Sequence, residues 1–377
     1  MTLDLGGDLH TLFREIVDCE SVSLHEQEIA DAVEQALTGL GHLEVTRIGN
    51  NVVARTALGR PQRVVIAGHL DTVPVADNLP SRLEHRSDGD YLVGRGTCDM
   101  KGGVAVALWL AAQLTDPAKD VTWVFYEAEE IAAEFNGLGR IAAWRPELLE
   151  ADLAILMEPT DGVVEGGCQG TMRFTLTAAG TAAHSARSWT GHNAIHDLAP
   201  ILELLGRWQL GDPLVEVDGL TYHEGLNATM VSGGLAGNVI PPEATIQINY
   251  RFAPDKTAPQ AEAAMRRLFD GWPMEILDLS APARPGLDRP LAQSFVTSVG
   301  RDPLPKYGWT DVARFSALGV PALNFGPGDA LCAHKQDECC RLSSLDECAA
   351  ALGDWLADAP AENAPEAAAS RTVEGRL

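Results

Sequence analysis

The sequence predicts an α/β fold with a mixed, mostly parallel sheet and a smaller α+β unit inserted into it, and three observations carry that reading. Over the first 160 residues helical spacing alternates with short β-rich runs. From about Gly170 the texture changes to strands that alternate apolar and polar positions, as a sheet with one solvated face does. After the Pro-rich stretch SAPARPGLDRP (280 to 290) the first texture returns.

The elements follow in order. Residues 10 to 19, 25 to 39 and 101 to 114 carry apolar positions at helical spacing, whereas NVVARTAL, RVVIAGHL, VTWVFYEA and ADLAILME read as strands. In the second texture TMRFTLTAAG, LNATMVSGGL and EATIQINYRFAP are strands, with helices near 194 to 208 and 258 to 270. VPALNF is a further strand, and a last helix runs near 345 to 357. These boundaries give a discontinuous catalytic unit over 1–170 and 284–358, an inserted unit over 171–283, and a tail, 359–377, too poor in core-forming residues to order itself.

Composition excludes several functions. The 28 basic against 53 acidic residues leave a formal charge of −25, which repels nucleic acid and anionic membrane surfaces. The first residues lack a signal-peptide pattern and no run of about 18 apolar residues suggests a membrane span, so a cytoplasmic protein is expected. Seven cysteines without a CxxC pair argue for reduced, mostly buried thiols. GRGTCDMKGG satisfies neither the P-loop nor the dinucleotide pattern.

The chemistry sits where apolar runs end. His69 and Asp71 close one strand, Asp99 lies in the Gly-rich turn, Glu129 and Glu130 follow VTWVFYEA, Glu158 follows ADLAILM, and His334 comes after VPALNF. Each alone reads as a cap or a solvated polar group. Together, at the carboxyl ends of strands of an open α/β sheet, they can converge on one crevice. Two imidazoles with several carboxylates suit zinc, or another divalent ion such as cobalt or manganese. Three carboxylates and a hydroxide neutralise two such ions, with Asp99 as the shared ligand. Asp71, two residues from His69 on one strand face, can accept the second imidazole N–H. Adjacent residues of an extended segment point apart, so Glu130 is expected to bind metal and Glu129 to act as general base. Glu127 and Glu134 read as acids opening the next helix.

In order, HLDTVP, GRGTCDMKGG, EEI…NGLG, EPT, GTAAHSA, AGNVIPPEATIQINYRFAP and AHKQDE resemble the dinuclear zinc amidohydrolases and peptidases, from about residue 10 to 357. The resemblance implies a zinc-peptidase-like catalytic domain with an inserted lid and dimerisation domain, two zinc ions (one replaceable by cobalt or manganese) and a homodimer. It assigns His69, Asp99 and Glu158 to one ion, and Asp99, Glu130 and His334 to the other. Asp71 would orient, Glu129 would be the base, and the Asp99–Met100 peptide would be cis. It further implies that His184 reaches the partner subunit's site, and that Asn238, Arg251, Thr310 and Arg314 bind an N-acyl amino acid.

Within that family FYEAEEIAAEFNGLG and SARSWTGHNAIH are most similar to desuccinylases of actinobacterial type, which implies hydrolysis of N-succinyl-LL-2,6-diaminopimelate. The alternatives are an acetylornithine deacetylase, a dipeptidase or carboxypeptidase, and, in a different class, a non-catalytic metal-stabilised relative. One departure stands out: GGCQGT has Cys168 and Gln169 where proteobacterial desuccinylases carry arginines, so a succinyl carboxylate must be read elsewhere or the acyl group differs.

Overall fold

The computed structural model describes residues 1–358, so the expectation for the tail 359–377 lies outside the described residues. Strands β1 (Glu44–Ile48), β2 (Asn51–Arg55), β3 (Arg63–His69), β4 (Asp120–Tyr126), β5 (Leu153–Leu156) and β6 (Glu165–Gly166) open the chain. A second sheet follows from β7 (Gly170–Ala179), β8 (Gly225–Gly233), β9 (Glu243–Phe252) and β10 (Met274–Ser280). Then β11 (Leu304–Pro305) and β12 (Ala322–Asn324) rejoin the first sheet, whose order is β1-β2-β4-β3-β5-β12-β6-β11. Its centre, β4-β3-β5-β12, is parallel, and its flanks contain antiparallel pairs.

The central strands are apolar on both faces because both faces are covered, as parallel sheets require. Val64 and Ile66 of β3 face a core built with the helices Leu9–Asp18, Gly102–Gln113 and Leu342–Ala357. Val65 and Ala67 face the opposite core, shared with Leu138 and Ile141 of the helix Gly137–Trp144 and with Phe315 of the helix Val312–Ala317. The helix Gly102–Gln113 is apolar almost all round, as a buried helix must be. Gly103 is required there, since a Cβ would run into the main-chain carbonyl of Met157.

The second sheet, order β8-β9-β7-β10, is wholly antiparallel and comes entirely from the chain between β6 and β11. One face, with Met172, Phe174, Ile246 and Tyr250, packs on the helices Ala199–Gly211 and Ala258–Leu268. The other carries Thr171, Arg173, Asn249 and Arg251. The helix expected over 194 to 208 is divided into Ala194–Asp197 and Ala199–Gly211, with a proline in the first turn of the second piece.

Two hairpins escape the sequence reading. Arg82–Arg86 pairs with Gly89–Val93, and Leu214–Val217 with Leu220–His223. The second turn is Asp218-Gly219, a hairpin signal, and both residues take positive φ, 51° and 84°; in the first the loop is Ser87-Asp88, with Gly89 already paired to Arg86. The seven cysteines are free, and only Cys332 is more than slightly exposed. No helix among the described residues is long and apolar enough to cross a membrane.

Candidate metal centre

The candidate ligands converge beyond the carboxyl ends of the parallel strands, where an open α/β sheet places its ligands. His69 ends β3 and is 1% exposed. Its Nδ1 lies 3.0 Å from the main-chain oxygen of Asp71, an acceptor only, so the ring proton sits on Nδ1 and Nε2 turns toward Asp99 Oδ1 at 3.2 Å. Asp99 sits in the turn Thr97–Lys101, with a cis peptide to Met100. The main-chain N–H groups of Cys98 and Asp99 both donate to Glu338 Oε1, and Arg95 donates to the other oxygen of that buried acid at 2.8 Å. Asp99 Oδ2 faces His334 Nε2 at 3.3 Å, and the same nitrogen lies 3.0 Å from Glu130 Oε1. Ligand atoms of His69, Asp99 and Glu130 all fall within 4.8 Å of one another.

Asp71 orients more than one group. The imidazole takes its main-chain oxygen, and the carboxylate, at 3.5 Å from Nδ1, has other partners. Oδ1 accepts from the N–H of Glu129 at 2.9 Å, and Oδ2 from the N–H of Glu130 at 3.1 Å and from the Ser23 hydroxyl at 2.6 Å. This corrects the basis on which the two glutamates were expected to differ. They do not lie in an extended segment: β4 ends at Tyr126, Ala128 takes a left-handed φ of 58°, and the turn presents both N–H groups to Asp71. Glu130 is still the one that meets His334. Glu127 does not open a helix either; it is buried and pairs with Arg140 and Asn51, while the helix starts at Gly137 under an Asn136 cap.

Electrostatics mark the site as one built for cations. Glu158 is 5% exposed and its Oε1 has no hydrogen-bond partner among the described residues, an arrangement that is costly unless something positive faces it. Burial, reinforced by Asp99, pushes its carboxyl up to about 7. Burial also lifts Glu129 well above the usual carboxylate range, with His69 opposing and Asp311, Glu158 and Glu130 reinforcing. His334 is raised to about 10 by its contacts with Asp99 and Glu130. Three carboxylates and two imidazoles compressed in this way fit divalent ions well.

Beside the cluster opens a cleft of about 600 Å³. Glu129 and Glu130 form one wall; Thr171, Arg173 and Arg251 stand on the other, and Arg314 lines it as well. Thr310 does not line it: the residue is buried and its hydroxyl donates to Asn324 at 2.8 Å. His184 lies on the short ladder of Ala183–His184 with Val239–Ile240 in the inserted segment and Asn238 directly precedes the second strand of that ladder, and both residues are exposed. Their described hydrogen bonds are local, His184 Nδ1 accepting from Ala186 and Asn238 O from Ser185. The sequence reading missed Arg173, Asp278, Trp309 and Glu338; the last stands within the quoted AHKQDE.

The profile of peptidase family M20/M25/M40 matches residues 65–358. The chain belongs to that family. It is 52% identical over 339 residues to the putative succinyl-diaminopimelate desuccinylase DapE of Mycobacterium tuberculosis (strain H37Rv), covering 89% of this chain and 94% of that protein. It is 47% identical over 367 residues to succinyl-diaminopimelate desuccinylase of Corynebacterium glutamicum, covering 94% and 98%. The fold is also that of a tripeptidase from Staphylococcus aureus, at TM-score 0.71 and 20% identity over 94% of this chain and 98% of the other.

Proposed function

We propose that this M20 chain is a cytoplasmic succinyl-diaminopimelate desuccinylase, hydrolysing N-succinyl-LL-2,6-diaminopimelate to succinate and LL-2,6-diaminopimelate with two zinc ions. The observation that carries the hydrolytic chemistry is Asp99, whose two oxygens face two different imidazoles, His69 and His334, as a shared ligand would. The two relatives of 47–52% identity over nearly the whole chain support the substrate.

His69, Asp99 and Glu158 would hold one ion, and Asp99, Glu130 and His334 the other. When bound, such a pair polarises the amide carbonyl and lowers the pKa of water. Glu129 takes the proton of the attacking water and returns it to the leaving nitrogen, and its raised proton affinity matches both duties. Asp71 fixes Glu129 by its main chain, so the base and the metal ligand next to it share one anchor. The inserted segment acts as lid and dimer contact: its edge strand β8 and the turn after it expose Met230 (65%) and Leu235 (75%), an unpaired apolar edge that a second copy would cover. In that dimer His184 reaches the partner subunit's cleft and donates to the developing oxyanion.

The deciding comparison is kcat/KM of zinc-loaded enzyme for N-succinyl-LL-2,6-diaminopimelate against N-acetylornithine and simple dipeptides. The succinyl substrate is expected to lead by about 100-fold or more, as a site built for a charged group allows. A lead for N-acetylornithine or a dipeptide would remove the substrate and leave the hydrolase.

A further inference from the structure

Arg173 and Asp278 stand directly across from each other on β7 and β10 and line the same cleft as Glu129 and Glu130. A β-bulge puts Asp278 there. Along β10, Met274 and Ile276 turn toward the packed face; the register then slips between Ile276 and Asp278, after which Leu279 is the inward residue. The slip leaves two consecutive residues, Leu277 and Asp278, on the cleft side, and both line it. On β7 the ordinary alternation suffices: Met172 and Phe174 are buried, and Arg173 between them is exposed.

The cations of this cleft are not equivalent. Arg314 is engaged, its Nε 2.5 Å from Asp311 Oδ1 and its guanidinium 5.5 Å from the Trp309 ring centre. Arg251 is half-buried and donates from Nε to Asn249 at 3.2 Å. The Arg173 side chain makes no hydrogen bond or ion pair among the described residues, so its five N–H donors are available. The Asp278 carboxylate likewise makes none, although the residue is paired with Arg173 across the strands and lies within electrostatic reach of Arg251. A free cation and a free anion side by side, too far apart to bridge, form a dipolar receptor: a plain anion gains at Arg173 and loses at Asp278, whereas a zwitterion gains at both.

We propose that Arg173 and Asp278 read the distal amino-acid end of the amine half of the substrate, Arg173 taking its carboxylate and Asp278 its ammonium, with Leu277 against the methylene chain between. The inference rests on the desuccinylase reading, in which the amine half is a diamino diacid. It assigns the acyl carboxylate to other donors, because beside Asp278 a group without an ammonium would be repelled.

The test compares three succinyl compounds on wild type, Arg173→Gln and Asp278→Asn: N-succinyl-LL-2,6-diaminopimelate, N-succinyl-L-lysine, which lacks the distal carboxylate, and N-succinyl-L-2-aminopimelate, which lacks the distal ammonium. Wild type should favour the full substrate over each truncated one by about 10- to 100-fold in kcat/KM, the range of a hydrogen bond to a charged group. Arg173→Gln should erase the gap to the lysine compound by lowering kcat/KM for the full substrate with no loss on the lysine compound, whose lone ammonium Arg173 repels, and Asp278→Asn should do the same for the aminopimelate compound, whose lone carboxylate Asp278 repels. Unchanged melting temperature and metal content in both variants separate this from misfolding. If wild type does not cleave the N-succinyl-diaminopimelate, the desuccinylase reading falls and takes the inference with it. If wild type cleaves it with both gaps and the variants keep them, or lose all three compounds equally, the inference alone is overturned.

Discussion

The two walls of the cleft are built on opposite terms. On the wall from the eight-stranded sheet, His69, Asp71, Asp99 and Glu130 each already meet two or more partners, and the cluster is compact and largely buried. On the wall from the four-stranded sheet, the side chains of Arg173 and Asp278 have no polar partner among the described residues, and His184 stands exposed on the same segment. Buried charges are tolerated only when paired, so reacting groups must be fixed before substrate arrives. Recognition groups gain from the reverse, since a donor satisfied by the protein has little left for a ligand. On the proposed reading, bond breaking belongs to the first wall and selection to the second.

Changes on the first wall should be the most damaging. Glu129→Gln is expected to lower kcat by about 10²- to 10⁴-fold, the usual contribution of a general acid–base, and stopped assays on the succinyl substrate would read it. Near wild-type turnover would remove Glu129 from the mechanism. Next is Asp71→Asn, which turns an N–H donor toward an N–H of the Glu129–Glu130 turn; about 10- to 100-fold is expected in activity or metal affinity, as for other supports of metal ligands. An unaffected variant would mean that the turn holds itself.

A gain tests the second wall. Mixing a Glu129→Gln protomer with a His184→Ala protomer should recover roughly a quarter of wild-type activity, because half of the dimers would then carry one intact composite site. A purified mixed dimer with no recovery would place His184 outside the partner's site. The smallest effect is expected far from both walls, at Asp120. Burial opposes ionisation there, but donors from Leu58, Thr56 and Arg60 and the nearby Arg63 hold its carboxyl below the ordinary 3.8. The unfolded chain therefore takes up the proton first as pH falls, so this stabilisation is complete above about pH 5 and is lost as pH drops through the folded value. Asp120→Asn should cost ~1–3 kcal/mol at neutral pH by denaturant melts. The gap to wild type should narrow below about pH 4, and a gap that widened in acid would reverse the sign.

The first wall was legible in the sequence because its residues end apolar runs, and the strand ends of an α/β sheet are where chemistry collects. His69, Asp99, Glu130, Glu158 and His334 could be picked out that way before any side-chain geometry was known. What the pattern could not give was the turn after β4: a left-handed alanine leaves no signature, so extended geometry was the natural but mistaken assumption for Glu129 and Glu130. The second wall was largely silent for a related reason. Arg173 sits in an ordinary alternating strand where a solvated arginine is unremarked, and Asp278 reaches the cleft through a bulge that the sequence of β10 does not announce. Thr310 shows the converse, a residue picked from a motif whose hydroxyl is engaged inside the fold.

The central claim is that adjacent glutamates divide binding from proton transfer, and the metal content of two purified variants tests it directly. Glu129→Gln should retain both zinc ions per chain while inactive, and Glu130→Gln should lose one of them, read by atomic emission after dialysis against a weak chelator. Equal metal loss in both variants, or full metal in Glu130→Gln, would contradict the division.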